Sequence, residues 1–366
     1  MNKRQDRAYL EMAYSLAEKA RGRTSPNPMV GALLVKNGTI IGHGYHKKPG
    51  TAHAEILALQ MAGSAAKGST LYITLEPCIH TGRTPPCVDA LIPAGIKRVV
   101  ISALDPNPIV NQKGVQKLLD AGIPVDVGML AQKNAVLNKF YTKYITQNIP
   151  WVTIKAAVSL DGKMAASSGH SSWISSPISR RYVHLLRGEY DAVMVGSETV
   201  IQDNPRLTIR HALWKEKKLA RILLDGRLRI PTTSRIFETL DRGPVLIFTS
   251  TEASREKASH LEACGAEVIP IPTAADHLDF SRILQYLGKR QIISVLVEGG
   301  SRLITSLLES RQADCMYLFM APLLIGGEKT FSFFQGKGIE TVDNACSFKH
   351  FFSFRLGPDT VFKGYF

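Results

Sequence analysis

His53-Ala54-Glu55 decides how the first half of this sequence is interpreted, together with Glu76-Pro77-Cys78 and Cys87. One imidazole and two thiolates form a three-ligand set that suits zinc and leaves a fourth tetrahedral position for water, as catalytic zinc sites do. Glu55 follows the histidine by two residues, where its carboxylate can move protons to and from that water. We therefore predict that His53, Cys78 and Cys87 bind zinc and that Glu55 transfers protons.

Two other interpretations of these residues remain open. The pattern H-x-E followed by P-C-x-x-C is typical of zinc deaminases that act on nucleobases, but here eight residues, Ile79 to Pro86, separate the cysteines. One alternative is a structural zinc site with His80 as a fourth ligand, since structural sites usually have four protein ligands. The other is a pair of buried cysteines near an unrelated histidine. Packing alone does not explain why His53-Ala54-Glu55 and Pro77-Cys78 occur in one chain, so the sequence favours a catalytic zinc site.

The secondary structure predicted around the motifs indicates where the metal lies. His53 begins a predicted helix, which Thr51 can cap, and residues two apart on a helix point about 200° apart. His53 and Glu55 therefore reach a common ion only beyond the N-terminal end of that helix, where the helix dipole favours negative charge. A buried strand at 70–75 brings Cys78 to the same place, and Cys87 begins a helix that runs to about Ala94. These elements predict α/β layers with the site at strand and helix ends.

Length and composition limit the class of protein. The 366 residues are 45% hydrophobic and 21% charged, which predicts a folded globular protein of two domains. No apolar run of about 18 residues occurs, so we expect no membrane partner. The N-terminus carries no apolar signal segment, and five scattered cysteines suit a reducing compartment. We therefore expect a cytoplasmic protein.

The formal net charge of +14 leaves two kinds of partner open. A basic protein is a candidate for nucleic-acid binding. The basic residues are spread thinly, however, with no block of five or more and no interleaved aromatic residues. A positive field that attracts small phosphorylated substrates explains the charge equally well. Charge alone does not decide between them.

Alternating helical and strand patterns divide the chain at Asn148-Ile149-Pro150. The first half predicts a helix at 6–21, strands at 30–35 and 39–45 joined by an Asn37-Gly38 hairpin turn, and further strands at 98–103 and 123–127. A helical segment at 130–144 completes it. We therefore predict a domain at 1–148 and a second at 149–366.

The second half repeats the α/β alternation without a known nucleotide motif. Its strands are predicted at 151–158, 192–196, 221–224, 245–249, 267–270 and 292–297, with helices between them. The last of these strands leads into Glu298-Gly299-Gly300 and then a helix. Such a turn aims backbone N–H groups at a phosphate, although glycine pairs also occur for steric reasons. It is neither G-x-G-x-x-G nor a P-loop, so neither a Rossmann nor a P-loop site is supported.

Long ordered blocks resemble the bifunctional deaminase–reductase family of riboflavin biosynthesis. In the first half these blocks are Pro26-Asn27-Pro28-Met29-Val30-Gly31, Gly42-His43-Gly44-Tyr45-His46, His53-Ala54-Glu55 and the stretch from Glu76 to Cys87. In the second half they are the stretch from Lys155 to Lys163, Trp173-Ile174, the stretch from Asp203 to Thr208, and Val297-Glu298-Gly299-Gly300. The resemblance covers nearly the whole chain and includes the eight-residue spacer between the cysteines.

The resemblance implies an α/β fold in which a cytidine-deaminase-like three-layer domain is followed by a dihydrofolate-reductase-like domain. It implies zinc-dependent deamination of a small phosphorylated pyrimidine, then reduction of its ribosyl group with NADPH. It also implies no nucleic-acid partner, and we expect a homo-oligomer. By the same resemblance, the residues that contact the pyrimidine are Asn27, His46 and His80. Those that contact NADPH are Ala157, Trp173, Thr199, Asp203, Gly299 and Gly300. Those that face the reductase substrate are Ser171, Arg187, Leu207, Arg210 and Glu298, the arginines suiting a phosphate.

Two positions depart from the family pattern. Asn111-Gln112-Lys113-Gly114 stands where a glycine-rich turn is usual, and Gly226 stands where a serine more often contacts the cofactor. Two functional alternatives also remain. One is a nucleic-acid-editing deaminase with an appended binding domain, and the other is a fusion in which only one half is active.

Overall fold

The structure, a computed structural model, describes residues 2–79, 86–274, 277–327, 330–336 and 338–366. The chain divides into two compact units, Met1–Asn148 and Ile149–Phe366. Within the described ranges, none of the helices combines the length and apolar character that a bilayer crossing requires.

In its described residues, the first unit has five strands and six helices. The strands are β1 (Gly31–Lys36), β2 (Thr39–Tyr45), β3 (Thr70–Ile73), β4 (Arg98–Ile101) and β5 (Val125–Val127). The helices are α1 (Lys3–Glu18), α2 (Ala54–Ala62), α3 (Cys87–Leu91), α4 (Lys113–Asp120), α5 (Ala131–Leu137) and α6 (Lys139–Gln147). A short 3-10 helix, Gly63–Ala66, follows α2.

One sheet with the order β2-β1-β3-β4-β5 forms the middle layer of this unit. β1 is antiparallel to β2 and β3, whereas β3, β4 and β5 are parallel. Alternate strand residues face opposite sides: Leu34 and Ile73 pack among α2, α3 and α4, and Leu33 and Tyr72 pack against α1. The expected three layers are therefore present.

The hairpin turn predicted for this unit is confirmed. Asn37 and Gly38 both have positive φ, 52° and 80°, as a two-residue hairpin turn requires. A Cβ on Gly42 would lie 2.2 Å from the carbonyl oxygen of Ala58, so glycine permits the close contact between β2 and α2.

Three details differ from the sequence-based predictions. Thr51 does not cap α2: His53 is its N-cap residue, and the Thr51 hydroxyl donates to the carbonyl of Lys48. α3 ends at Leu91 rather than near Ala94: Ile92 still has helical φ and ψ (−61° and −57°), but Pro93 has no N–H with which to continue the helical hydrogen bonds. The helix predicted at 130–144 is broken at Asn138, whose side chain bonds both the N–H and the carbonyl of Met29 (2.7 and 3.0 Å).

The second unit is built on a nine-stranded sheet with the order β11-β10-β9-β8-β14-β6-β15-β18-β17. Its strands are β6 (Trp151–Ser159), β8 (Ala192–Gly196), β9 (Ala220–Leu224), β10 (Val245–Ser250), β11 (Glu267–Ile271), β14 (Ser294–Val297), β15 (Cys315–Ala321), β17 (His350–Leu356) and β18 (Asp359–Tyr365). Short strands β7 (Lys163–Ala165) with β16 (Phe331–Ser332), and β12 (Thr273–Ala274) with β13 (His277–Leu278), form two further pairs.

Helices cover both faces of this sheet. They are α7 (Pro177–Glu189), α8 (Ser197–Asp203), α9 (Arg255–Ala263), α10 (Phe280–Lys289) and α11 (Ser301–Glu309), with 3-10 helices at Ala212–Trp214, Arg235–Arg242 and Val342–Asn344. Met194 packs with α10 and α11 on one face, and its neighbours Val193 and Val195 pack with α8 and α9 on the other. All pairings from β11 to β15 are parallel, so these strands end at one edge.

Candidate functional site

The first unit brings the three predicted metal ligands together. One ligand atom from each of His53, Cys78 and Cys87 lies within 4.8 Å of the others. The Nδ1 atom of His53 is 3.0 Å from the Sγ of Cys87 and 3.6 Å from the Sγ of Cys78. His53 is the N-cap of α2, Cys78 follows β3, and Cys87 begins α3. The trio therefore lies beyond the N-terminus of α2, as the spacing predicted.

The trio is electrostatically suited to a cation. Hydrogen bonds from Cys87 and from His53 lower the pKa of the Cys78 thiol, although burial opposes this shift, and the bond to Cys78 raises the pKa of Cys87. The thiolate is the form that binds metals. Two sulfurs and one imidazole at these distances match the donor set of a catalytic zinc site.

Glu55 lies in the first turn of α2 and is 3% exposed. Its Oε2 atom is buried and has no hydrogen-bond partner among the described residues. Burial raises the pKa of this carboxyl to about 7. A buried oxygen with unused hydrogen-bonding capacity beside three metal ligands fits a zinc ion with a water, because that water would satisfy the carboxylate.

Asn27 and His46 adjoin the trio. The Asn27 amide donates to Nε2 of His46 (3.1 Å), and the His46 ring meets the His53 ring edge-on with centroids 5.2 Å apart. Burial lowers the pKa of His46, so its imidazole is neutral and can accept that bond. His80, the third predicted pyrimidine contact, lies outside the described residues.

The second unit places another acid at the carboxyl edge of its parallel strands. Glu298 follows β14, and its carboxylate receives two hydrogen bonds from Arg187 of α7, at 2.5 Å from Nε and 3.0 Å from Nη2. The remaining Nη1 donates to the carbonyl of Thr208 (2.9 Å). The fork that we expected to bind a phosphate is therefore occupied by Glu298. Although burial opposes it, the Arg187 charge holds the pKa of Glu298 below its usual range.

Glu298 and Arg187 form a cluster with two residues that were not predicted as site residues, Lys155 and His184. Lys155 on β6 lies with its Nζ 4.0 Å from Oε2 of Glu298, and burial lowers its pKa. His184 on α7 lies beside Arg210, whose Nε is 3.2 Å from the Nε2 of the histidine. Burial and the charges of Arg187 and Arg210 lower the pKa of His184 to about 4. A lysine inside an otherwise apolar strand was a usable signal in the sequence; the histidine gave none.

The predicted cofactor residues lie partly together. Gly299 and Gly300 precede α11, Gly300 is its N-cap, and a Cβ on Gly300 would lie 3.9 Å from the Thr199 hydroxyl. No side chain caps this helix, so its first N–H groups remain available to an anion. A Cβ on Gly299 would lie 2.6 Å from Cδ2 of Leu303, so a larger residue there would require the leucine side chain to move. The N-terminus of α11, which has no side-chain cap among the described residues, suits the phosphates of a dinucleotide.

The other predicted residues lie on separate segments of the chain. Ala157 is half-buried on β6, and Asp203 ends α8. Trp173 is 71% exposed on the loop before α7, where the Arg180 guanidinium lies 4.4 Å from its ring centroid. Ser171 lies on the same loop. Leu207 has φ 51° and is 5% exposed, with its side chain in the core rather than in a cleft.

Family comparisons match each unit separately. The family model "RibD C-terminal domain" matches residues 150–362, and the model "Cytidine and deoxycytidylate deaminase zinc-binding region" matches residues 3–103. The predicted fold class, with its two successive α/β domains, is confirmed by these matches.

Whole-chain comparisons give relatives of nearly equal length. "Riboflavin biosynthesis protein RibD" of Aquifex aeolicus is 44% identical over 362 residues, covering 98% of this chain and 99% of the relative. "Acinetobacter baumannii RibD, form 1" is 36% identical with a TM-score of 0.88, covering 99% of both chains. A Thermotoga maritima structure described as a "diaminohydroxyphosphoribosylaminopyrimidine deaminase/ 5-amino-6-(5-phosphoribosylamino)uracil reductase" is 35% identical with a TM-score of 0.86, again covering 99% of both.

Proposed function

The chain belongs to the RibD family of riboflavin biosynthesis proteins, and we propose how its residues divide the two reactions of that family. It is a bifunctional enzyme, a zinc-dependent deaminase and an NADPH-dependent reductase. We assign the deaminase to residues 1–148 and the reductase to residues 149–366. The proposed substrate is 2,5-diamino-6-(5-phosphoribosylamino)pyrimidin-4-one, which is first deaminated and then reduced from ribosyl to ribityl.

The buried, unsatisfied Oε2 of Glu55 beside the ligand trio carries the deaminase assignment. In this proposal His53, Cys78 and Cys87 hold zinc, which when bound lowers the pKa of a water toward neutrality. Glu55 Oε2 would transfer two protons in turn: one from the attacking water to the pyrimidine ring nitrogen, and a second from the hydroxyl formed at the ring carbon to the amino group, which then leaves as ammonia. A pKa of about 7 suits this exchange in both directions.

Asn27 and His46 orient the pyrimidine, with His80 as the third proposed contact. The amide and the neutral imidazole are mutually hydrogen-bonded, so their directions are fixed before substrate arrives. Burial of the pair limits the number of waters that compete for the ring's polar atoms.

In the reductase unit, NADPH supplies a hydride, and the chain's own groups bind and orient. Gly299, Gly300 and Thr199 are proposed to approach the cofactor phosphates, with Ala157, Trp173 and Asp203 as further contacts. Among the described contacts of this cluster, the acid Glu298 is outnumbered by three cations, Lys155, Arg187 and Arg210. The net positive charge supports a phosphorylated substrate here. Arg187 holds Glu298 ionised and oriented, while Arg210 keeps its outer guanidinium N–H groups for the phosphate. Ser171 and the Leu207 backbone complete the proposed substrate contacts.

The nucleic-acid-editing alternative is not favoured, because the second unit matches a reductase family rather than a binding module. A coupled assay tests the proposal. Zinc-loaded protein is given the pyrimidine phosphoribosyl substrate, and ammonia release and NADPH oxidation are followed together. We expect ammonia first, then NADPH loss in equal amount. Ammonia without NADPH loss would refute the reductase assignment, and neither signal with zinc bound would refute the substrate.

A homo-oligomer is proposed on the basis of the final strand of the large sheet. β17 ends the strand order, and Phe351 and Phe352 on it are 56% and 47% exposed. An apolar edge strand is a site for pairing with another chain, and self-pairing gives a closed two-fold dimer. Sedimentation should show a dimer that Phe351→Lys dissociates and Val342→Lys, at an exposed apolar residue outside the strand, does not. A monomeric wild type would contradict the proposal.

A cytoplasmic location is proposed from the cysteines. All five lie in the described part of the chain, and none forms a disulfide. Cys346 is exposed and Cys78 and Cys264 are partly exposed, so these thiols would be open to oxidation in a secreted protein without metal, and a reducing compartment suits them. Cell fractionation with an antibody against the chain tests this location.

A further inference from the structure

Glu76 is a buried acid with an unusual set of partners. Its side chain is 4% exposed, and its carboxylate accepts four hydrogen bonds, all from backbone N–H groups of a single segment. Oε1 accepts from Gly114 (2.9 Å) and Val115 (3.1 Å). Oε2 accepts from Gln112 (3.1 Å) and Asp105 (3.2 Å). One carboxylate thus fixes both ends of the segment 105–115.

The same segment packs tightly against the next residue of the chain. A Cβ on Gly114 would lie 2.3 Å from the carbonyl oxygen of Pro77 and 3.1 Å from Cγ of Glu76. Only glycine therefore lets the first turn of α4 approach so closely. Two of the four donors, on Gly114 and Val115, belong to that turn, where N–H groups have no partner within the helix.

Glu76 is separated from the metal ligand Cys78 by a single proline. Proline fixes its own φ, and the Glu76 N–H donates to the carbonyl of Ala103 (2.9 Å). Glu76 is thus held at its backbone by the end of β4 and at its side chain by the loop and helix that follow β4. The direction in which Cys78 leaves the sheet depends on both attachments.

We propose that Glu76 is a positioning residue for the Cys78 thiolate, and that its four-donor clamp sets the geometry and affinity of the metal site. This inference rests on the proposed function, in which Cys78 holds zinc. The four hydrogen bonds to the carboxylate come from the segment 105–115 and not from the ligand atoms, so we expect its effect to act through the backbone of Pro77 and Cys78.

The clamp also accounts for the departure at Gln112. This residue has φ 64° and ψ −12°, a left-handed conformation in which glycine is usual. Its N–H is one of the four donors to Glu76. The hydrogen bond holds a side-chain-bearing residue in the backbone conformation that the site requires.

Metal binding to the full chain tests the proposal with Glu76→Gln. An amide has one acceptor oxygen and presents its NH2 group to the other pair of N–H donors, so two of the four bonds are lost. We expect the Zn2+ affinity, measured by competition with a chromophoric chelator, to fall by about 10- to 100-fold. The thiolate-to-metal and d–d absorption bands of the Co2+-loaded protein should shift as well.

Asp6→Asn is the matched control. Asp6 is a buried acid of the same unit, bonded to Arg98 and Tyr72 and not to the site segment. This variant should lose stability yet keep the wild-type Zn2+ affinity and Co2+ spectrum. If both variants change these readouts equally, or if Glu76→Gln changes neither, Glu76 has no positioning role.

Gly114→Ala tests the clamp from its other side and remains available if Glu76→Gln does not fold. Its added Cβ pushes α4 away from Pro77, and we expect the same loss of affinity and a shifted spectrum. Wild-type values in this variant would overturn the proposal. If the wild-type chain itself binds neither Zn2+ nor Co2+, the proposed function has failed rather than the clamp.

Discussion

Glu55 and Glu298 are both buried acids at the candidate site of their unit, yet their surroundings are opposite. Glu55 has an oxygen that finds no hydrogen-bond partner in the described part of the chain, and burial raises the pKa of its carboxyl to about 7. Glu298 is held by the fork of Arg187 with Lys155 nearby, and these charges keep its pKa low. One acid is therefore placed to exchange a proton near neutral pH, and the other to remain charged.

The difference teaches that burial alone does not define the role of an acid. Desolvation raises the pKa of both carboxyl groups, and only the presence of a cation reverses the result. A site that moves protons is left incompletely paired until metal and water arrive. A site that orients a charged substrate is paired beforehand.

The largest expected effect is on the reaction assigned to the unpaired acid. Glu55→Gln removes proton transfer without removing a zinc ligand, so ammonia release should fall by about 10²- to 10⁴-fold. Zinc content, and NADPH oxidation with the separately prepared deaminated substrate, should not change. Unaltered ammonia release would break the comparison, because Glu55 would then have no catalytic role.

The two acids should next differ in the sign of their effect on stability. Glu298→Gln leaves Arg187 and Lys155 buried without their anion, and the free energy of unfolding should fall by about 3 kcal/mol. In metal-free protein, Glu55→Gln replaces an unsatisfied acid with a neutral group, and the free energy of unfolding should rise by about 1 kcal/mol. Denaturant unfolding, monitored separately for each unit, measures both.

The pH dependence of these differences follows from the pKa shifts. The lowered pKa of Glu298 gives stability that is present above its ordinary value of 4.5 and is lost as pH falls through the folded value. The raised pKa of Glu55 gives stability present below 4.5 and lost as pH rises toward 7. The loss of unfolding free energy caused by Glu298→Gln should therefore become smaller in acid. The gain of unfolding free energy from Glu55→Gln should become larger between pH 4.5 and 7. Parallel pH profiles would contradict the comparison.

Asp6 tests whether the pKa shift of a buried acid depends on its hydrogen-bond partners or on the unit in which it lies. It lies in the same unit as Glu55 but is paired like Glu298, with two bonds from Arg98 at 3.0 and 2.8 Å and one from Tyr72 at 2.7 Å. The Arg98 bonds hold the pKa of Asp6 below its usual value of 3.8. Asp6→Asn should cost about 2 kcal/mol at pH 7, and this cost should disappear as pH falls through the folded pKa. A cost that rises in acid would indicate that Asp6 behaves like Glu55.

The smallest expected effect concerns the backbone that supports the first site. Gln112→Gly relieves a left-handed conformation that disfavours side chains, while glycine adds flexibility to the unfolded chain. The net gain in unfolding free energy should be below about 1 kcal/mol. Gln116→Gly, in the interior of the same helix, is the control and should lose about 1 kcal/mol. Equal losses in both variants would show that Gln112 is not strained.

The metal trio could be predicted from the sequence because ligand type and spacing carry the chemistry directly. His53 and Glu55 point apart on a helix, and that conflict by itself located the ion beyond the helix end. The α/β layers of the first unit followed from its strand and helix patterns, whereas the three-layer order was implied by the family resemblance. None of these inferences needed a long-range contact.

The second site could not be predicted to the same depth because its key pairings are long-range. Arg187 bonds Glu298 across a separation of 111 residues, and nothing local to either indicates that the fork is occupied. His184 lies on an ordinary amphipathic helix. The break at Asn138 depends on a bond to Met29, 109 residues away, so periodicity predicted one helix instead of two. The antiparallel strands β17 and β18 drew no prediction.

The clamp at Glu76 has a consequence for how this enzyme tolerates mutation. A glycine at position 112 would keep the loop shape by itself, whereas glutamine there depends on the carboxylate to hold its backbone. Positions 76 and 112 are then expected to be epistatic: losing the acid costs more while residue 112 is glutamine than it would if residue 112 were glycine. With glutamine at 112 the loop is less flexible than with glycine, but its shape depends on Glu76. The first unit should therefore tolerate fewer substitutions at position 76.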